Sequence, residues 1–108
     1  MISIDDFKKI EIKAGKILTA EKVPETDKLV RLTVDFAEVA PRQIISGIAM
    51  HFPDASALVG KTCTFVTNLE PRMIKGLESN GMILALSDDT AFSLLEPSST
   101  VPPGTPAR

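Results

Sequence analysis

Between Leu29 and Phe36 the chain places Val30, Leu32, Val34 and Phe36 on one side and Arg31, Thr33 and Asp35 on the other. A two-residue alternation is the period of a pleated strand with one buried and one wet face, and no helix reproduces it. This run therefore reads as a half-buried strand. Its neighbours follow the same logic. Ile12 to Val23 is long for a strand, and Gly15 in its interior predicts a bulge or bend of the kind a tightly curled barrel needs. Pro24-Glu25-Thr26-Asp27 is a turn. Ala40-Pro41-Arg42 breaks the second strand, and Gln43–Met50 gives a third that contains Gly47. Phe52-Pro53-Asp54 followed by Ala55–Val59 predicts one or two helical turns closed by Gly60.

Lys61–Thr67 and Gly81–Leu86 supply the fourth and fifth strands. At the start, Ser3 is a candidate N-cap, and Asp5 and Asp6 suit the first turn of a short helix over residues 4–9. Phe7 and Ile10 form its apolar side, with Phe7 expected to plug the barrel. Five strands with a helix between the third and fourth match the all-β, partly open Greek-key barrel called the OB-fold. Chain length agrees. At 108 residues the chain makes one domain, a barrel over residues 4–87 followed by an extension over 88–108. That extension holds Pro97, Pro102, Pro103 and Pro106, so from Leu95 onward it can neither form a helix nor pair centrally. It reads equally as a frayed end or linker and as a segment packed against another subunit.

Residues 68–82 read as a long connection between the fourth and fifth strands, and long ordered loops in compact domains are usually functional. This one carries Arg72 and Lys75, the polar groups of Asn68, Ser79 and Asn80, and the apolar Met73, Ile74 and Leu77, which show no clear strand alternation. Charge narrows the role. The chain has 12 basic and 14 acidic residues and a net charge of −2, so it is not a generally basic nucleic-acid coat. Any RNA site is a local patch, modest in affinity and strongly salt-sensitive.

Catalysis has little to stand on. His51 is the one histidine and Cys63 the one thiol, with no cluster of metal-ligand spacing and no glycine-rich phosphate loop. An enzyme, a metal and a cofactor are not expected. Cys63 has no internal disulfide partner, no apolar run approaches a membrane span, and the N-terminus lacks a signal-peptide pattern, so a cytoplasmic location is expected.

Several blocks in order resemble the tRNA-binding OB-fold family, found at the end of many methionyl-tRNA synthetases and as small free-standing proteins. They are Asp6-Phe7 with Glu11 to Ile17, Asp27-Lys28-Leu29, Arg42 to Ile48, and the loop ending in Ser79-Asn80-Gly81-Met82. The resemblance covers about Ile4 to Leu86 and departs at Lys13, where the family more often has arginine, and at Glu70, an acid in a loop that tends to be basic. It implies binding of folded tRNA, a homodimer joined in part by residues such as Ser93–Pro103, and a methionyl-tRNA synthetase catalytic chain as a partner.

With no Trp or Tyr and five Phe, a platform for stacking single-stranded bases is missing. Recognition of a folded RNA by shape, phosphate and 2′-hydroxyl contacts needs none. The expected contacts are Lys28, Arg31, Arg42, Arg72 and Lys75 to phosphates, and Asn68, Ser79 and Asn80 to sugars or base edges. Met82 reads either as core or as an apolar contact to RNA. Gly47, Gly76 and Gly81 are expected to serve positive φ or close approach. A different class also fits the barrel: a homodimeric, chaperone-like module that binds proteins through exposed aliphatic grooves. That branch typically lacks the Ser46-Gly47-Ile48 and Ser79-x-Gly81-Met82 blocks present here. A sugar-binding OB domain would need aromatic platforms the chain does not have.

Overall fold

The computed structural model describes Met1–Arg108. Helix α1 (Ile4–Phe7) is a single turn, shorter than the sequence suggests. A capping box fixes its start: the Asp6 N–H donates to Ser3 Oγ at 3.1 Å, and the Ser3 N–H donates to Asp6 Oδ2 at 3.4 Å. None of its residues is buried, and Phe7 is 44% exposed. Phe7 therefore does not plug the barrel. The interior is already filled by Phe36 and Phe65, whose rings meet edge to face at 5.2 Å, together with Ile17, Leu32 and Ile44. Each such fully buried side chain contributes about 1.5–3 kcal/mol of transfer free energy.

The main sheet contains β1 (Ile12–Lys22), β2 (Val30–Asp35), β3 (Arg42–Ser46), β4 (Thr62–Val66) and the short β7 (Met82–Ile83), in the order β3-β2-β1-β4-β7. All pairs are antiparallel. Strand β1 is long because it serves two neighbours, pairing with β4 over Ile12–Lys16 and with β2 over Lys16–Lys22. The register slips between Ile17 and Thr19, so the bulge falls at Leu18 and not at Gly15. Between β3 and β4 the chain makes two short 3₁₀ turns, Ala49–His51 and Ala55–Leu58. Met50 thus belongs to a 3₁₀ turn, and Gly47 has neither a positive φ nor a close neighbour, against the expectation for it.

The barrel closes between β3 and the stretch after β4. The Asn80 N–H donates to the Gln43 carbonyl at 2.8 Å, the Ile45 N–H to Ser79 Oγ at 3.0 Å, and Gln43 Nε2 to the Glu78 carbonyl at 2.9 Å. The 68–82 connection is not a plain loop. It contains a two-stranded ribbon, β5 (Arg72–Ile74) and β6 (Leu77–Ser79), in which Met73, Ile74 and Leu77 are strand residues. Gly81, with φ of 145°, sits where a Cβ would stand 3.1 Å from the Val66 carbonyl oxygen, so a side chain there would strain the backbone and crowd β4.

A second ribbon, β8 (Ala85–Ser87) with β9 (Phe92–Leu94), leads into the proline-rich tail. That tail returns to β1. The Ala14 N–H donates to the Thr105 carbonyl, the Gly104 N–H to the Ala14 carbonyl, and the Ala107 N–H to the Ile12 carbonyl. Residues 104–107 are therefore docked on the barrel and are not a frayed end. Gly104 permits this with φ of 86°, and a Cβ built on it would stand 2.6 Å from the Phe36 carbonyl oxygen.

Candidate nucleic-acid interface

Two connections flank the wet face of β1–β2–β3: residues 23–29 between β1 and β2, and the β5–β6 ribbon between β4 and β7. On an OB barrel these are the loops positioned to meet oligonucleotides. They meet each other in an open cleft lined by Glu25, Thr26, Asp27, Lys28 and Leu29 from one side and by Ile74 and Lys75 from the other. Two candidate cations separated by 47 positions in sequence, Lys28 and Lys75, therefore share one cleft. Glu25 and Asp27 share it too, and none of these four makes an ion pair. Sequence reasoning named Lys28 as a phosphate contact but missed Leu29 and Ile74 as the apolar part of the cleft.

The ribbon turn is informative. Ile74 pairs with Leu77, leaving Lys75 and Gly76 as a two-residue turn with φ of 51° and 79°. Positive φ at both positions is the requirement of a type I′ hairpin, which favours Asn-Gly. Gly76 suits it. Lys75 does not, since a left-handed conformation costs a non-glycine residue about 1 kcal/mol or more. Lys75 is one of three non-glycine residues with positive φ, alongside Glu25 and Ala37.

Of the 12 Lys and Arg residues, five are in ion pairs, while Lys8, Lys16, Lys22, Lys28, Arg72, Lys75 and Arg108 are not. Three of the five candidate cations, Lys28, Arg72 and Lys75, thus have no carboxylate partner and are exposed. Arg31, half-buried on β2, pairs with Glu21 across the strands. Met82 is 44% exposed and is not core. The Asn80 side chain makes no hydrogen bond, although its backbone holds the ribbon to β3.

The remaining candidates are tied up in hydrogen bonds within the protein, with Ser79 buried, Arg42 half-buried and Asn68 exposed. Ser79 is 3% exposed, accepts from the Ile45 N–H and donates to the Gly81 carbonyl at 3.2 Å. Asn68 donates to the Lys9 carbonyl at 2.7 Å and accepts from the Glu11 N–H at 2.8 Å, tying the start of the connection to the end of the α1 segment. Arg42 Nε and Nη2 each donate at 2.7 Å to the two oxygens of Glu38, and Nη1 donates to the carbonyls of Thr67 at 2.6 Å and Asn80 at 3.3 Å. The guanidinium also lies 5.4 Å from the centroid of the Phe36 ring. Glu38 is held below the usual carboxylate range, first by the hydrogen bonds from Arg42. Glu11 is lowered as well, chiefly by the Thr67 hydroxyl that donates to it at 2.6 Å. Neither Glu38 nor Glu11 stood out in the sequence as a partner: Glu38 meets Arg42 four residues on across the β2–β3 turn, and Glu11 meets Thr67 only through the β1–β4 pairing.

No group of three or more His, Cys, Asp or Glu side chains could hold a metal ion. No helix is long and apolar enough to cross a membrane. The His51 ring stacks on Phe92 at 3.8 Å, and Phe52 meets Phe92 edge to face at 5.8 Å, so these aromatics pack on one another around β9.

Comparison with known proteins places this geometry. The chain is 54% identical over 109 residues to a methionine–tRNA ligase of Methanoregula boonei, a match covering all of this chain and 16% of that relative. The chain is thus a small part of the length of the curated relatives it matches. Its fold superposes on a MetRS-related protein from Pyrococcus horikoshii with a TM-score of 0.91 at 35% identity, covering 100% of this chain and 98% of that one. It also superposes on the chaperone CsaA from Bacillus anthracis with a TM-score of 0.87 at 26% identity, covering 100% and 99%. Residues 12–106 match the family model described as "Putative tRNA binding domain", and over nearly its whole length the chain therefore belongs to the tRNA-binding domain family, built on an OB-type barrel.

Proposed function

We propose that the chain is a non-catalytic module that grips folded tRNA by its contour, acting in trans or as an appended or separate subunit of a cytoplasmic methionyl-tRNA synthetase. Lys28, Arg72 and Lys75 contact phosphates, with Arg31, Asn80 and Met82 beside them. The observation that carries this reading is the β5–β6 ribbon, which presents Arg72 and Lys75 without carboxylate partners and brings Lys75 to the cleft that holds Lys28. Phe36 and Phe65 are buried and Phe92 is packed by His51 and Phe52, which leaves no aromatic row for stacked bases on that face. Arg42, Asn68 and Ser79 support the ribbon from below. As a weak second site tethered to a catalytic chain, the module raises the effective tRNA concentration without touching the chemistry.

A second reading, a homodimeric chaperone-like module, is favoured by the likeness to CsaA and by the exposed Ile4, Phe7 and Ile10 around α1. The higher identity to the synthetase relatives favours tRNA. Sizing chromatography of the protein with total tRNA separates the two and reports subunit number. A co-eluting complex that Arg72→Glu with Lys75→Glu abolishes is the expected result. Failure to shift tRNA, with capture of an unfolded chain instead, would favour the chaperone reading.

A further inference from the structure

Arg42 reaches both ends of the ribbon-bearing connection. Its Nη1 donates to Thr67, the residue before the connection begins, and to Asn80, just after β6 ends. Four of the five guanidinium N–H groups are thereby used, two on Glu38 and two on these carbonyls. The ring of Phe36 backs the guanidinium, and Glu38 fixes its plane in a bidentate fork. Thr67 is itself held, its N–H and hydroxyl both donating to Glu11.

We infer that Arg42 is a positioning residue that clasps the two ends of the 68–79 segment and so sets how the β5–β6 ribbon is presented to RNA, without touching RNA itself. This rests on the reading of that ribbon as the RNA-binding element. A preorganised ribbon binds without the cost of ordering it, so loosening the clasp weakens affinity although no contact to RNA is removed. Glu38 is the telling partner. If Arg42 met a phosphate, removing Glu38 would release the guanidinium and subtract a repelling charge, and binding would tighten. If Arg42 is a clasp, removing Glu38 loosens the ribbon, and binding weakens.

Anisotropy titration of fluorescein-labelled bulk tRNA decides the sign, with thermal melts establishing that each variant is folded at the titration temperature. Arg42→Lys, which keeps the charge and loses the fork, is expected to weaken binding about tenfold, and Glu38→Gln about three- to tenfold. A purely stabilising role would lower the melting temperature and leave the affinity of the folded protein unchanged. Glu38→Gln binding as well as or better than the wild type would overturn the inference. A measurement on the unsubstituted protein needs no variant to fold: at saturating tRNA the Arg42 Nε–H resonance should keep its position while the amides of Lys75 and Gly76 move. Arg42 moving with them overturns the inference equally. A wild-type protein that binds no tRNA removes the functional reading and the inference together. Normal wild-type binding with an indifferent Glu38→Gln removes the inference alone.

Discussion

Gly15 lies against the edge of the Phe36 ring: a Cβ built there would stand 2.5 Å from Phe36 Cε1 and 2.6 Å from Val34 Cγ1. Real Cβ atoms do not approach that closely, so a side chain at 15 must push β1 away from the core. Phe36 has little room to retreat, since its ring packs edge to face on Phe65 and carries the Arg42 guanidinium on it. Gly15→Ala should therefore destabilise by about 1–3 kcal/mol, the usual cost of overpacking a filled core. A thermal melt should show a fall of several degrees, at roughly 4–8 °C per kcal/mol for a domain near this size. An unchanged melting temperature would show that β1 yields without cost.

The same glycine marks where the sequence was legible and where it was not. The alternation of Leu29–Phe36 identified β2 and its buried face because burial follows the two-residue period directly. Ser3 with Asp6 similarly announced a helix start that the capping box confirms. Gly15 drew notice, but for the wrong cause: its neighbours are Phe36 and Val34 on an adjacent strand, and nothing local encodes that approach. The β5–β6 ribbon was hidden because its strands are three residues each and its turn uses Lys-Gly in place of Asn-Gly. Phe7 was misplaced because an apolar residue on a one-turn helix has no periodicity to say which way the helix docks. At the interface, cation types were legible and their partners were not, since Arg42 meets Thr67 and Asn80 only once the barrel closes.

Acid should loosen the clasp. The folded pKa of Glu38 lies below its ordinary value of 4.5, owing first to its hydrogen bonds from Arg42. The unfolded chain therefore binds more protons near that pH, and the ion pair's contribution is complete above 4.5 and lost as pH falls through the folded value. Glu11 acts in the same direction through Thr67. Urea unfolding of wild type and Glu38→Gln from pH 7 down to pH 3 tests this. The stability gap between them should close progressively below pH 4.5. A gap that stays constant would mean that Glu38 is not the titrating partner.

Cys63 should be inert in the folded protein. It is fully buried on β4 opposite Gly15, and burial, aided by the charge of Glu96, pushes its thiol up to about 11. Only about one molecule in a thousand then carries a thiolate at pH 8, and that sulfur is out of reach of solvent. Ellman's reagent should release no colour from the native protein over minutes and one equivalent promptly in guanidinium chloride. Fast labelling of the native state would reveal an opening of β4 that the packing does not suggest.

Lys75 sets stability against binding. It occupies the first central position of a type I′ turn with φ of 51°, which Asn adopts at less cost. Lys75→Asn should therefore stabilise the ribbon by about 0.5 kcal/mol, raising the melting temperature by roughly 2–4 °C. Binding should move the other way. With Lys28, Arg72 and Lys75 neutralising phosphates, log K for tRNA falls with log salt at a slope of about −3. Removing the charge at the ribbon tip should weaken binding and make that slope shallower by about 1. Melting curves and salt-series anisotropy on the same preparation test both halves. A Lys75→Asn protein that is more stable and binds tRNA with undiminished affinity and slope would show that the tip charge lies outside the RNA footprint. Loss of stability would instead mean that the lysine side chain, and not only its charge, holds the ribbon against the cleft.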